Sequence, residues 1–321
     1  MVTTPSMAQT VLGQLRMFSR VVVDTGDFEL IRKFEPVDVT TNPTLILKAV
    51  QQPQYDHLVR LAERVAAEKG VDFAIDHLFV SFGTEILRVT GEYGRVSIEV
   101  DSRLSFDSEG TVARARNIMA LCEANGIPRR RVLIKIAATW EGICAAKILE
   151  SDGIRCNLTL LFSKIQAIAC AEAGVTLISP FVGRILDWYR EKTRIEYGTD
   201  DDPGVKSVVE IFNYYKHFEY KTEIMAASFR NIGEILALAG CDLLTISPQL
   251  LEQLHSSTQK IDRKLSPEVS KSMQLEKLFC DEKIFRHALA SNTMASEKLA
   301  EGIKNFSADI EKIAEMLTQR R

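Results

Sequence analysis

One lysine stands out by its neighbours. In Val132-Leu133-Ile134-Lys135-Ile136-Ala137-Ala138 a single ammonium sits in a six-residue apolar surround. Desolvating an ammonium costs several kcal/mol unless it is paired or gives up its proton. Burial lowers a lysine pKa, and a neutral amine near pH 7 is a nucleophile whose characteristic product with a carbonyl is a Schiff base. The same pattern suits a lysine snorkelling from an edge strand, or one paired with a buried carboxylate for structure alone. Neighbouring runs bear on that choice. Side chains alternate across a strand. In Val96-Ser97-Ile98-Glu99-Val100-Asp101 the polar set is Ser97, Glu99 and Asp101, so one face carries two carboxylates. Asp24 ends another β-rich run, and Asp38, Thr40 and Asn42 share a face on the next. Asn157 and Thr159 share a face against Cys156, Leu158 and Leu160, and Ser179 lies on a further run. If these faces converge, Lys135 is surrounded by carboxylates, amides and hydroxyls fit for acid–base work on a bound carbonyl compound. Taken singly, Asn42 before Pro43 and Asp24 before Gly26 are also ordinary turn chemistry.

A second constellation is cationic. Arg184 and Arg230 follow two successive late runs, with Ser228 beside Arg230. Two guanidiniums and a hydroxyl can hold a phosphate, and barrels often bind phosphate at their late loops. Surface arginines bonded to helix carboxylates explain the spacing equally well.

The elements that must position these groups are legible. Eight β-rich runs recur: 21–24, 37–42, 96–101, 132–138, 156–161, 177–182, 223–229 and 243–247. Helix-like segments lie between them. Thr111 opens one that Gly126-Ile127-Pro128 closes, and Asp202-Pro203 opens another running to about His217. Alternating strands and helices argue for parallel βα units, and eight such units for a closed (β/α)8 TIM barrel of the α/β class. An open doubly wound sheet would carry a Gly-rich phosphate loop after its first strand, and Asp24-Thr25-Gly26-Asp27 is not one. The expected organisation is a single barrel domain over 1–321, with an N-terminal helical segment at about 1–20 and a C-terminal loop and helices at about 257–321 packing over the barrel. Residues 256–272 read as a polar loop, and Asp200-Asp201-Asp202 as a solvated loop and helix cap. Leu299, Ile303, Phe306, Ile310, Ile313 and Leu317 form one apolar stripe on a long helix. The plain expectation is that the stripe packs inward; a homodimer formed through it is the alternative.

Composition removes other classes. The 321 residues carry 40 Lys+Arg against 43 Asp+Glu, a net charge of −3, with 46% hydrophobic types. That is too apolar for a disordered chain and lacks the basic excess of a nucleic-acid binder. No run suits a membrane span, and no N-terminal pattern suggests a signal peptide. Six scattered cysteines without a CxxC pair fit a reducing cytoplasm. Five histidines without HxH or HExxH spacing give no metal site.

Several segments together closely resemble the class I transaldolases of the longer, bacterial and eukaryotic type. They are Asp24-Thr25-Gly26-Asp27, Thr40-Thr41-Asn42-Pro43-Thr44, Ser97-Ile98-Glu99-Val100-Asp101, Leu133-Ile134-Lys135-Ile136, residues 156–163, residues 178–185 and Ala227-Ser228-Phe229-Arg230-Asn231. The resemblance implies a cofactor-free (β/α)8 enzyme of the pentose phosphate pathway acting on sugar phosphates. It implies Lys135 as the Schiff-base lysine and Asp24 as the group exchanging protons with the sugar hydroxyl. Glu99, with a water and Thr159, would serve carbinolamine formation and dehydration. Asn42 and Asn157 would hold the dihydroxyacetone hydroxyls, Ser179 the carbon-1 hydroxyl end, and Phe181 would shape the pocket. Arg184, Ser228 and Arg230 would take the phosphate. Ile98, Ser102, Ala138 and Ala226 depart from the usual pattern. A fructose 6-phosphate aldolase, which cleaves without transferring, and a catalytically silent sugar-phosphate-binding barrel are the competing readings.

Overall fold

The computed structural model describes residues 9–319. Eight strands form in the expected places: β1 (Arg20–Asp24), β2 (Asp38–Thr40), β3 (Arg95–Glu99), β4 (Val132–Ala137), β5 (Cys156–Leu161), β6 (Leu177–Pro180), β7 (Glu223–Ala226) and β8 (Leu243–Ile246). They follow one another in sequence order, and the sheet closes with β1 parallel to β8. Helices separate successive strands, as the (β/α)8 reading requires.

The strand ends are shorter than the apolar runs, for local reasons. Asn42 leaves β2 to cap the helix Pro43–Ala49, its Oδ1 accepting from the Leu45 N–H at 3.0 Å. Asp101 leaves β3 to cap the 3-10 turn Ser102–Leu104 and pairs with Arg103, so it does not join Glu99 on one strand face. Past the end of β7, Ser228 sits in the left-handed region at φ 65°.

Three helical expectations change. The helix expected to begin at Thr111 begins at Ser108, because Asp107 accepts from the Gly110 N–H, while the Thr111 hydroxyl donates back to Leu104 O. The expected loop over 256–272 contains a short helix, Pro267–Lys271, capped by Ser266. Asp202 does cap the helix Pro203–His217, yet it is buried rather than solvated, accepting from Gly204 and Val205. At the N-terminus, Thr10 caps the helix Val11–Leu15, and the expected helical segment upstream of residue 9 lies outside the described residues.

Two compact units divide the contacts. One comprises the chain up to Val23 with Leu160–Leu299; the other comprises Asp24–Thr159 with Ala300–Arg321. In the second unit β2, β3, β4 and the start of β5 pair in parallel. The apolar faces are settled by close approach. A Cβ built on Gly83, in the helix Val71–Val89, would lie 2.8 Å from Ile98 Cδ1 and 3.7 Å from Val96 Cγ1. Val96 and Ile98 therefore meet that helix, and Ser97 and Glu99 point to the other side. Ile136 likewise meets the helix Trp140–Ser151 at Gly142, which sends Lys135 the opposite way. The C-terminal helix Thr293–Gln319 buries the whole stripe Leu299, Ile303, Phe306, Ile310, Ile313 and Leu317, so the stripe packs inward. No helix among the described residues is long and apolar enough to cross a membrane.

Gly142 marks how tightly helix and strand meet: a Cβ there would sit 2.2 Å from Ala137 O, at the end of the lysine strand. Gly142→Ala should destabilise the protein by about 1–3 kcal/mol, the usual cost of overpacking. Urea unfolding measures it, and an unchanged midpoint would show that the strand end gives way freely.

Candidate active site

The parallel register builds the site of the second unit. Glu99 of β3 pairs with Lys135 of β4, and Lys135 with Asn157 of β5. Three expected residues thus stand in one row, on the face turned away from the helices. Lys135 Nζ lies 3.0 Å from Glu99 Oε2 and donates to Thr41 O at 2.9 Å. Both side chains are nearly closed to solvent, Lys135 at 4% and Glu99 at 3%. Asn157, fully buried, donates from Nδ2 to Ser97 Oγ at 3.0 Å, and the Thr41 hydroxyl donates to Ser97 O at 3.1 Å. Asp24 accepts from the Thr40 hydroxyl at 2.8 Å, and Thr40 pairs with Ser97 in register. The carboxylate ending β1 is therefore oriented by β2.

The paired lysine is the arrangement that a purely structural reading also allows. The residue one row further on weighs against that reading. Thr159 pairs in register with Ala137, is fully buried, and its hydroxyl has no hydrogen-bond partner among the described residues. An unsatisfied buried hydroxyl costs about 1–3 kcal/mol, which a core built only for stability would avoid. Asn42 differs from the rest of the set. Its carbonyl oxygen is engaged as a helix cap, which leaves its amide nitrogen as the group able to meet a ligand.

In the other unit, Ser179 on β6 and Phe181 just past it are buried. Phe181 meets Phe162 edge-on, with centroids 5.3 Å apart. The Arg184 guanidinium lies 4.9 Å above the Phe181 ring. Arg230 Nη1 reaches Ser228 O at 3.2 Å and Ser228 Oγ at 3.3 Å, so this arginine and serine do meet. Arg230 also holds Asp187, of the helix Gly183–Thr193, through Nε at 3.0 Å and Nη2 at 2.7 Å. A phosphate at Arg230 would compete with that carboxylate. Gly183 donates to Ser228 O at 2.9 Å, and a Cβ on it would lie 2.4 Å from that oxygen. Only glycine lets the helix start this close to the turned Ser228 backbone.

Sequence reasoning missed the support behind this turn. Glu234, 1% exposed, accepts from the Arg230 N–H at 2.7 Å, while Asn231 caps the helix Ile232–Ala237 by accepting from the Glu234 N–H at 3.0 Å. The Asn231-to-Glu234 spacing is that of a capping box, the signal that could have found it. Thr41, a main-chain acceptor for Lys135, left no such signal, because a carbonyl is not encoded by residue type. Burial, together with the neighbouring Asp202, pushes the Glu234 carboxyl up to about 7. Burial raises Asp202 as well, against the pull of its two capped N–H groups.

A carboxyl raised on folding contributes stability below its unfolded value, here about 4.5, and loses it as pH rises through about 7. Glu234→Gln should remove that loss. The difference in unfolding free energy, wild type minus variant, should decline steadily across this window in paired denaturation curves. A flat difference would mean that Glu234 ionises normally.

Among solved structures, three similar chains have TM-scores below 0.5. A protein of Salmonella enterica subsp. enterica serovar Typhimurium named as a dehydratase is 8% identical at TM-score 0.43, over 75% of this chain and 60% of that one. An IMP dehydrogenase/GMP reductase-like protein of Corynebacterium glutamicum is 11% identical at TM-score 0.43, over 74% of this chain and 66% of that one. A flavocytochrome b2 variant with sulfite bound is 10% identical at TM-score 0.37, over 94% and 70%. The chain thus spans less than two thirds of the first two proteins. A family match goes further: residues 21–317 fit the family described as Transaldolase/Fructose-6-phosphate aldolase. That span runs from β1 into the last helix and takes in the lysine row, the serine–arginine turn and the buried stripe, so the chain belongs to the transaldolase/fructose-6-phosphate aldolase family.

Proposed function

We propose that this protein is a transaldolase of the cytoplasmic non-oxidative pentose phosphate pathway. It moves a dihydroxyacetone unit from sedoheptulose 7-phosphate to glyceraldehyde 3-phosphate, giving erythrose 4-phosphate and fructose 6-phosphate. The observation that carries this reading is the buried Lys135 amine with the Glu99 carboxylate 3.0 Å away. Glu99 takes a proton from the ammonium, and the freed nitrogen adds to the ketose carbonyl carbon. The carbinolamine loses its hydroxyl as water, with Glu99 and Thr159 serving the proton transfers. Asp24, held by Thr40, takes the proton of the hydroxyl on the carbon beyond the breaking bond. That bond's electron pair flows to the protonated imine, the aldose phosphate leaves, and an enamine stays on Lys135. Attack of the enamine on the acceptor aldehyde reverses these steps, and hydrolysis returns the amine. Asn42, Asn157 and Ser179 hold the hydroxyls of the three-carbon unit, and Phe181 shapes the pocket. Arg184, Ser228 and Arg230 bind the phosphate, which displaces Asp187 from Arg230.

Transfer rather than simple cleavage requires that the enamine meet an aldehyde before it meets a proton. Within the second unit, the C-terminal helix sits on the loops that carry the chemistry. Asp309 accepts from Thr44, two residues past Asn42, and Ser307 meets Ser102, three residues past Glu99, at 3.1 Å. This cover favours transfer over the aldolase reading, which the same family admits.

Borohydride reduction in the presence of fructose 6-phosphate should fix a three-carbon adduct on Lys135, located by peptide mass mapping. Lys135→Ala should abolish both adduct and turnover while retaining the wild-type circular dichroism spectrum. Turnover surviving in that variant would remove Lys135 from the mechanism. Asp309→Asn should loosen the cover and raise the share of donor released as free dihydroxyacetone several-fold. Release that is already acceptor-independent in the wild type would assign the chain to the aldolases instead.

A further inference from the structure

Two buried carboxyls stand behind the serine–arginine turn, and the proposed reaction uses neither. Asp202 caps the helix Pro203–His217, its Oδ1 accepting from the Gly204 N–H at 2.8 Å and the Val205 N–H at 3.2 Å. Glu234 lies in the first turn of the helix Ile232–Ala237, and its Oε2 accepts from the Arg230 N–H. Both residues are almost closed to solvent. Glu234 Oε1 is buried as well and meets no N–H or O–H donor among the described residues. What the Glu234 side chain does meet is the Asp202 carboxyl, within hydrogen-bond contact. Two carboxylates have no hydrogen to place between them, so the contact takes one proton. Like charges this close, and this far from water, do not both ionise.

Both members of the pair are joined to the turn through main chain. Glu234 holds the Arg230 N–H directly. Asp202 acts through the backbone in front of its helix. A Cβ on Gly204 would lie 2.2 Å from Val182 O, so the capped helix start abuts that residue. Val182 and Gly183 in turn donate to Ala227 O and Ser228 O, each at 2.9 Å. Gly233, next to Glu234, is equally close to the segment before Asp202, since a Cβ there would meet Thr199 Oγ1 at 2.7 Å. Displacing either carboxyl therefore moves the backbone that presents Ser228 and Arg230. The cations acting on the pair already hold other carboxylates. Arg190, of the helix Gly183–Thr193, faces Asp202 and pairs with Glu196 at 3.1 Å, and Arg230 pairs with Asp187. The adjacent Asp201 pairs with Lys206. A second negative charge on the pair would have to share these partners.

Burial, with Asp202 beside it, pushes the Glu234 carboxyl up to about 7, so the shared proton resides on Glu234 and is lost as pH rises through that value. Its loss puts two anions face to face and adds a negative charge behind the turn. Both effects weaken the hold on a dianion in front of it. We propose that Glu234 and Asp202 are positioning residues for phosphate recognition, a proton-sharing pair that sets the shape and potential of the Ser228–Arg230 turn. This role rests on the phosphate-binding reading of that turn.

Sulfate, a dianion throughout, is the probe, titrated calorimetrically into the full chain between pH 6 and 9 at constant ionic strength. Wild-type affinity should fall about tenfold over that range as the shared proton leaves. Glu234→Gln keeps an oxygen for the Arg230 N–H and supplies an N–H to Asp202, so its affinity should stay at the acid-side value throughout. Glu234→Ala should raise KM for fructose 6-phosphate about tenfold while changing kcat less than about twofold, and Glu234→Gln should restore KM. Flat binding in the wild type, or a fall that Glu234→Gln shares, overturns the proposal, as does a Glu234→Ala loss confined to kcat. Arg230→Ala tests the underlying reading: sulfate should bind that variant about tenfold more weakly at every pH. Unchanged binding there would place the phosphate site elsewhere and overturn both. Sulfate forms no imine, so the lysine chemistry is judged separately by borohydride trapping.

Discussion

The organising constraint is one buried ion pair. An ammonium and a carboxylate, each with less than a twentieth of its surface open, meet between two adjacent parallel strands. Such a pair is weak as a source of stability, because both ions surrender their hydration to form it. In the proposed reaction its value lies in holding an amine beside a carboxylate able to take its proton, away from solvent. The main-chain oxygen of Thr41 is the amine's second partner, and Ser97 ties that same loop to Asn157 through separate hydrogen bonds.

Register turns these residues into a row. Parallel pairing sets Glu99, Lys135 and Asn157 side by side, with Thr40 and Ser97 in the row before and Thr159 in the row after. The opposite face of the same strands is equally specified, since Val96, Ile98 and Ile136 meet helices at glycines that leave no room for a Cβ. A shift of one residue would exchange the two faces and bury the wrong set. Tight helix packing therefore fixes the polar face indirectly.

The other unit uses strained backbone where this one uses register. Ser228 at φ 65° and Leu160 at φ 53° are both non-glycine residues in the left-handed region. Each is held by side chains that satisfy the turned main chain. Fully buried Gln166 donates to Leu160 O at 3.1 Å and accepts from the Phe162 N–H at 2.9 Å. Glu234 receives the Arg230 N–H behind the Ser228 turn, and Gly183 receives none of the usual side-chain bulk in front of it. Strain of this kind persists only where surrounding contacts over-determine it, and it is common at binding sites.

The sequence alone determined the eight strands, their order and the polar face, because alternation and apolar runs are local properties of residue type. Alternation alone places Lys135, Glu99, Asn157 and Thr159 on that face. Asp107 displacing Thr111 as a cap, and the short helix inside 256–272, turned on which of several competent polar side chains reached the backbone first. Only tertiary structure decided that choice. It also decided that Asp202 is buried beside Glu234, that Arg230 is shared between Ser228 and Asp187, and that a main-chain oxygen of Thr41 completes the lysine's surroundings. These depend on distances between segments far apart in the chain. No residue's identity encodes such a distance; only the closed packing of strands and helices sets it.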